Sequence, residues 1–365
     1  MRTTSSAAVA PNRPWLRRYT KLVVLSTLAL IFIGGLVTSH GAGLSVPDWP
    51  TTYGQNMFTY PLAKWEGGIF YEHGHRLFAS FVGMLVVILA FWQFADKRNT
   101  VRSLGLVALV LVILQGVLGG VSVLMRLKWG TPEPIWFATL VFHGVLAQSF
   151  LVLTVVLAYL QSREYGARLA EPGNPADRSL SPWALAVAAL VFVQLIVAAA
   201  MRHHGAGLAL MDFPTNGGYI VPPFTDTMLA HVNDMRRAYA AQAGLDFVEI
   251  TMGQVAIHFA HRVMAYIITI AVITLAVKAW RKPGASRRLV HAALLMVGLV
   301  VVQFSLGVAA VLSHKEPLLT SIHVVVGAAT LATATLVVLR ALPVGARRRV
   351  AQPVPNAALG TANAS

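Results

Sequence analysis

The sequence predicts an all-α integral membrane protein of eight transmembrane helices, arranged as two pseudo-symmetric four-helix bundles. Three observations carry that prediction. The chain is 56% hydrophobic and only 12% charged, where a soluble domain would hold about a quarter charged residues. Its apolar residues fall into eight continuous runs, each near the roughly 20 residues a spanning helix needs. An eleven-residue motif also recurs 164 positions downstream, which points to a duplicated half. The runs are continuous and not alternating, which favours helices over a barrel.

The first run, Leu22–Thr38, follows a basic start with Arg2, Arg13, Arg17, Arg18 and Lys21. It is long enough to span and no small-residue cleavage site ends it. Residues 1–21 are therefore expected to be a cytoplasmic segment and not a cleaved signal. Leu77–Phe94, Leu104–Met125 and Ile135–Leu160 complete a first half over residues 22–162. A basic cytoplasmic linker, 163–181, leads to a second half over 182–341, with runs at Pro182–Met201, Val255–Val277, Leu289–Leu312 and Leu318–Leu339. The Ala/Pro/Asn-rich tail, 342–365, is expected to be disordered.

The formal charge of +15 reflects topology. Most of the 29 Lys and Arg fall on one side of the eight runs, at the N-terminus, Lys97–Arg102, Arg163–Arg178, Lys278–Arg288 and Arg340–Arg349. The positive-inside rule then places both termini in the cytoplasm and the loops at 39–71 and 202–253 outside. No basic, aromatic-interleaved stretch suggests nucleic acid. The absence of a long amphipathic presequence favours a bacterial inner membrane over a mitochondrial one. There are no cysteines, which excludes disulfides, thiolate zinc, iron–sulfur clusters and covalently attached haem.

The repeat reads His40-Gly-Ala-Gly-Leu-Ser-Val-Pro-Asp48-Trp-Pro50 and His204-Gly-Ala-Gly-Leu-Ala-Leu-Met-Asp212-Phe-Pro214. It continues as Glu72-His73-Gly74-His75-Arg76 against His258-Phe-Ala-His261-Arg262, then Gln115 to Gly119 against Gln303 to Gly307, then His143 against His323. The offset grows from 164 to 186 between loop and helix, so the second loop carries an insertion near 224–247. Two halves of four helices each insert in the same orientation.

Ionisable residues inside spans are costly and mark function. His75 with His143, and His261 with His323, form one pair per half at similar depth. Two imidazoles facing each other in a bundle suit the axial positions of a haem iron. Zinc fits less well, because no third ligand recurs at matching depth. Gly83, Gly116, Gly119 and Gly120 either leave room for a flat porphyrin or allow close helix packing. Arg76 and Arg262 either pair with haem propionates or snorkel to the headgroups. Asp48 and Asp212 are expected to fix loop hydrogen bonds. His40, His203, His204, His231 and His314 read as outer-loop residues without ligation, and His291 falls on the cytoplasmic side. The repeat breaks at Glu72 against His258. Glu72 shares a helix face with His75, where a carboxylate either moves protons or stabilises developing positive charge. The plainer alternative is a hydrated interfacial carboxylate.

These residues together resemble the haem A synthases, membrane enzymes that convert haem O to haem A for terminal oxidases. The resemblance runs over about residues 20–340. It rests on Gly34-Gly35…Thr38 with the following Gly-Leu…Trp-Pro loop, Glu72-x-x-His75-Arg76, Gln115-Gly-x-Leu-Gly-Gly120, His143-Gly-x-x-Ala147-Gln148, His261-Arg262 and His323. It implies a haem O substrate near His75 and His143, an essential Glu72 and a haem b cofactor between His261 and His323. It also implies oxidation of a porphyrin methyl to a formyl through successive hydroxylations. Membrane lipid surrounds the chain. Haem O synthase, oxidase assembly factors and a second copy of the chain are the candidate partners. Many members of the family carry a cysteine pair in the first outer loop. This chain has none, so a thiol step is excluded.

Two other classes compete with this reading. One is a di-haem b-type cytochrome that only relays electrons, and the other is a transporter. A relay gives no reason for a carboxylate in one half only. A transporter would show broken helices near the midplane.

Overall fold

Proline and polar caps mark where the helices of this chain start. A computed structural model describes residues 13–170 and 173–344. In it the helices are α1 Pro14–Ser39, α2 Gly68–Phe94, α3 Asn99–Leu127, α4 Glu133–Leu160, α5 Arg163–Ala170, α6 Pro175–Ser179, α7 Ser181–His203, α8 Asp226–Ala243, α9 Met252–Arg281, α10 Arg287–Leu312 and α11 Pro317–Ala341. Pro sits in the first turn of α1, α4, α6, α7 and α11, where the missing N–H removes no helical bond. Thr251 and Gln254 close a capping box on α9, and Ser286 caps α10. Residues 1–12 and 345–365, which hold most of the expected N-terminal segment and tail, lie outside the described residues.

Eight of these helices are long and apolar enough to cross a membrane: α1, α2, α3, α4, α7, α9, α10 and α11. They contain all eight predicted runs. Helix α2 starts nine residues before its apolar run, because the polar stretch Glu72–Arg76 is helical and satisfies its charges internally. Large apolar side chains cover the outer faces, as at Phe91, Ile113, Ile270 and Val301. That is the pattern expected when lipid and not water is the neighbour.

Helices α1 to α4 pack as neighbours in the order α1–α2–α3–α4–α1, and α7, α9, α10 and α11 do the same. The two sets meet through α1–α11, α4–α7 and α4–α11. The packed apolar cores lie towards the end bearing the chain termini. One is built around Leu16, Leu89 and Leu157, the other around Leu275, Leu289 and Met296. A third cluster, Leu151, Val155 and Ala328 with Leu28 and Ile31, fills the seam between the sets. At the opposite end, here called the loop end, the apolar cores give way to histidines, arginines and the two repeated loops.

The predicted insertion contains α8. It docks through Met228 and Val232 onto Ala209, Leu210, Ile250 and Val255.

Candidate haem-binding site

Each repeated loop is folded around its aspartate. Asp48 accepts bonds from Thr51 Oγ1, Tyr53 N (2.7 Å) and Gly54 N (2.8 Å). Asp212 accepts from Thr215 Oγ1 (2.6 Å), Gly217 N (2.7 Å) and Gly218 N (2.9 Å). Burial alone would raise both carboxyls, but these hydrogen bonds outweigh it and hold both below the usual carboxylate value. The peptide bonds Trp49–Pro50 and Phe213–Pro214 are both cis.

The arginines beside the histidine pairs stitch these loops to the helices. Arg76 donates Nη1 to the carbonyls of Asp48 (2.7 Å) and Thr51 (3.2 Å), and Nη2 to that of Val46 (2.9 Å). Arg262 donates Nη1 to Thr215 O (2.9 Å) and Asn216 Oδ1 (2.9 Å), and Nη2 to Leu210 O (3.0 Å). Val46 and Leu210, like Thr51 and Thr215, are equivalent positions of the repeat. Loop acceptors thus take most of the Nη donors of these guanidiniums.

Glu72 belongs to the same clamp. It is 4% exposed, which overturns the hydrated interfacial alternative. Its Oε1 pairs with Arg76 Nη2 at 2.6 Å and its Oε2 accepts from Val46 N at 2.8 Å. His258, at 2% exposure, stands in the same relation to its own loop. Its Nδ1 lies 3.2 Å from Leu210 N, and its Nε2 lies 3.3 Å from Arg262 Nε. The two residues face equivalent donors, but a carboxylate accepts from both where a neutral imidazole accepts at one nitrogen only.

The histidine pairs lie beneath the loops. His75 is close enough to His143, and His261 to His323, for the imidazoles to interact electrostatically. The Nδ1 atoms of His143, His261 and His323 are buried without a hydrogen-bond partner. Each of these rings thus keeps a nitrogen the protein does not claim. Gln115 Nε2 holds the His143 carbonyl and Gln194 Nε2 the His261 carbonyl, both at 2.9 Å, while Gln303 Nε2 lies 3.3 Å from His323 Nε2.

Glycines press directly on the rings. A Cβ on Gly119 would lie 3.2 Å from His143, one on Gly307 3.1 Å from His323, and one on Gly34 3.2 Å from His75. The other glycines have separate roles. Gly120 receives the indole of Trp49, and Gly83 and Gly116 face open space. Unclaimed imidazole nitrogens beside helix faces kept bare by glycine suit a flat, iron-centred group. Among the described residues no three His, Asp or Glu side chains converge on a metal-sized site.

Two histidines have positions that the sequence did not suggest. His203 closes α7 and is not in a loop, and its ring interacts electrostatically with His143 of the first half. His73, in the second turn of α2, is fully buried under the first loop. From α2 it packs between Tyr60 and Trp65 of the loop, with Nδ1 3.0 Å from Thr52 Oγ1. Neither position shows any periodicity that would reveal it.

Comparisons with known proteins agree in scope with this geometry. The chain is 26% identical over 350 residues to "Heme A synthase" of Sphingopyxis alaskensis, covering 89% of this chain and 91% of that one. It is 26% identical over 319 residues to "Heme A synthase" of Halalkalibacterium halodurans, covering 85% and 92%. The protein of the same name from Brucella ovis is 26% identical over 329 residues, covering 82% and 83%. Residues 17–335 match the family model COX15-CtaA, described as cytochrome oxidase assembly protein, and this chain belongs to that family.

Proposed function

We infer that the chain is a haem A synthase, which oxidises a porphyrin methyl group of haem O to a formyl group. Family membership decides for this oxidoreductase over the relay cytochrome and the transporter. The carrying observation is the doubled constellation of paired imidazoles, with a carboxylate in one copy only. The first half is assigned to the substrate, with His75 and His143 at its iron. The second half is assigned to haem b, which His261 and His323 would hold. A haem b held there supplies one-electron redox chemistry.

The chain's own residues do the rest. Gly34, Gly119 and Gly307 keep ring-facing helix surfaces bare. Arg76 and Arg262 hold the loops down over the two sites and exclude water. Glu72 lies one turn from His75 and brings a carboxylate, paired with Arg76, into that enclosed environment. There it serves to accept a proton or to offset positive charge developing at the oxidised carbon.

The helix contacts and the repeat support two pseudo-symmetric four-helix bundles. Basic residues collected at the terminal end support cytoplasmic termini in a cell membrane. Haem O synthase, oxidase assembly factors and a second copy of the chain are proposed partners.

The test is pigment extraction and chromatography from cells expressing the chain with a haem O supply. Glu72→Gln is expected to retain bound haem and to yield no haem A. Normal haem A from that variant would remove Glu72 from the chemistry. Well-folded protein without any b-type spectrum would end the ligation assignment.

A further inference from the structure

Three cations meet at the loop end of the second half, and no carboxylate answers them. Arg202 lies in the last turn of α7, just before a short helical turn at Ala206–Leu208. Lys315 lies against that turn: a Cβ on Gly207 would be 3.5 Å from its Cδ and 3.9 Å from its Nζ. Arg236 of α8 donates Nη1 to Leu208 O at 2.5 Å, and its Nε is buried with no acceptor. The stack of Tyr239 on His314, 4.0 Å between ring centres, holds α8 against the residue preceding Lys315. Lys315 feels the charges of both Arg202 and Arg236.

Two nearby acids are already engaged. Glu316 caps α11 through Leu318 N (3.0 Å) and Leu319 N (2.6 Å). Asp212 lines the same small cavity as Arg236 but is bound to its own loop. Among the described residues, none of the three cations forms an ion pair. Like charges gathered in a partly dry site repel strongly unless an anion joins them.

Through Arg202 the cluster reaches the seam between the two sets and the second histidine pair. Arg202 donates to Ser39 Oγ at 2.8 Å, and Ser39 Oγ lies 3.1 Å from Ser321 Oγ, two residues before His323. Its charge acts on the His323 ring. The first half has no such arrangement. Thr38 stands at the position equivalent to Arg202, and α8 has no counterpart there.

We propose that Arg202, Lys315 and Arg236 form an anion site for the carboxylates of a porphyrin held between His261 and His323. The proposal rests on the haem reading of that pair. It gives α8 a purpose, namely to retain a resident porphyrin in one half while the other half must release its product.

The test uses the full-length protein with His75→Ala and His143→Ala, so that only the second pair binds. It is titrated with haem b and with haem b dimethyl ester, whose carboxylates are uncharged. The background is expected to bind free haem roughly tenfold or more tightly than the ester. Arg236→Gln and Lys315→Gln should each lose most of that preference while keeping the low-spin bis-histidine spectrum. Arg236→Lys, which keeps the charge, should keep most of the preference. An unchanged preference in both neutral variants overturns the proposal. Loss of co-purifying anionic phospholipid with the preference intact would instead assign the cluster to a lipid headgroup, and also overturns it. No low-spin haem in the background at all would be a different failure, that of the ligand pair itself.

Discussion

Glu72 and His258 face the same two kinds of donor, a loop N–H and the arginine four residues on, but the carboxylate accepts from both whereas a neutral imidazole accepts at one nitrogen only. What Glu72 adds is therefore a charge and a second acceptor. Glu72→His should leave the first loop docked and haem bound, because the second half already uses imidazole there. It should abolish haem A production. Chromatography of extracted pigments checks this, and wild-type haem A levels would show that the charge is dispensable. A second residue-scale prediction concerns Asp96, which lies just beyond α2. It binds Arg98 through Nε (3.0 Å), Nη2 (2.9 Å) and the backbone N (2.9 Å). Burial would raise its carboxyl, but these bonds prevail and lower it to about 2. The unfolded value is about 3.9. A depressed carboxyl stabilises the fold above the unfolded value, and that contribution is lost as pH falls from about 4 towards 2. Asp96→Asn should therefore flatten the acid-side fall in melting temperature over that window, as read by thermal unfolding in detergent. An identical fall in both proteins would refute it.

At the scale of elements, the loops are held by backbone geometry as much as by charge. Trp49 presses its indole onto α3 at Gly120, where any Cβ would overlap the ring. Gly116, one turn away, has nothing within 4 Å. Gly120→Ala should cost about 1–3 kcal/mol by overpacking and speed proteolysis of the 40–67 loop, while Gly116→Ala should do neither. Limited proteolysis of the two variants side by side distinguishes them. Equal cleavage rates would mean that Trp49 does not anchor the loop.

At the scale of the molecule, the seam between the two helix sets is apolar at mid-depth and polar at the loop end. Ala328 is fully buried there with Leu151, Val155, Leu28 and Ile31. Towards the loop end, Arg202 reaches across to Gly35 O (2.7 Å) and Ser39, and Ser39 to Ser321. Ala328→Leu should overfill the seam and cost about 1–3 kcal/mol. It should lower the melting temperature without altering the haem spectrum, because the histidine pairs are bound within each set. A changed Soret band with unchanged stability would contradict that division.

The eight spans, the duplication and the four paired histidines were all legible in the chain. Apolar run length is set by the thickness of a bilayer, and a repeated motif survives as letters wherever it sits in space. Expectations for Arg76, Arg262 and the glycines were less secure, because their partners are loop carbonyls and rings far away in sequence. Gly120 answers to Trp49, Gly119 to His143, and Arg76 to three carbonyls about 25 to 30 residues before it. The broken symmetry at Glu72 could be read directly. That Glu72 and His258 both face a loop N–H and an arginine could be seen only once Val46 and Leu210 were brought over their helices. The cation cluster also needed three dimensions. Arg202, Arg236 and Lys315 belong to separate segments, and α8, whose purpose the sequence left open, is what carries Arg236 to the other two.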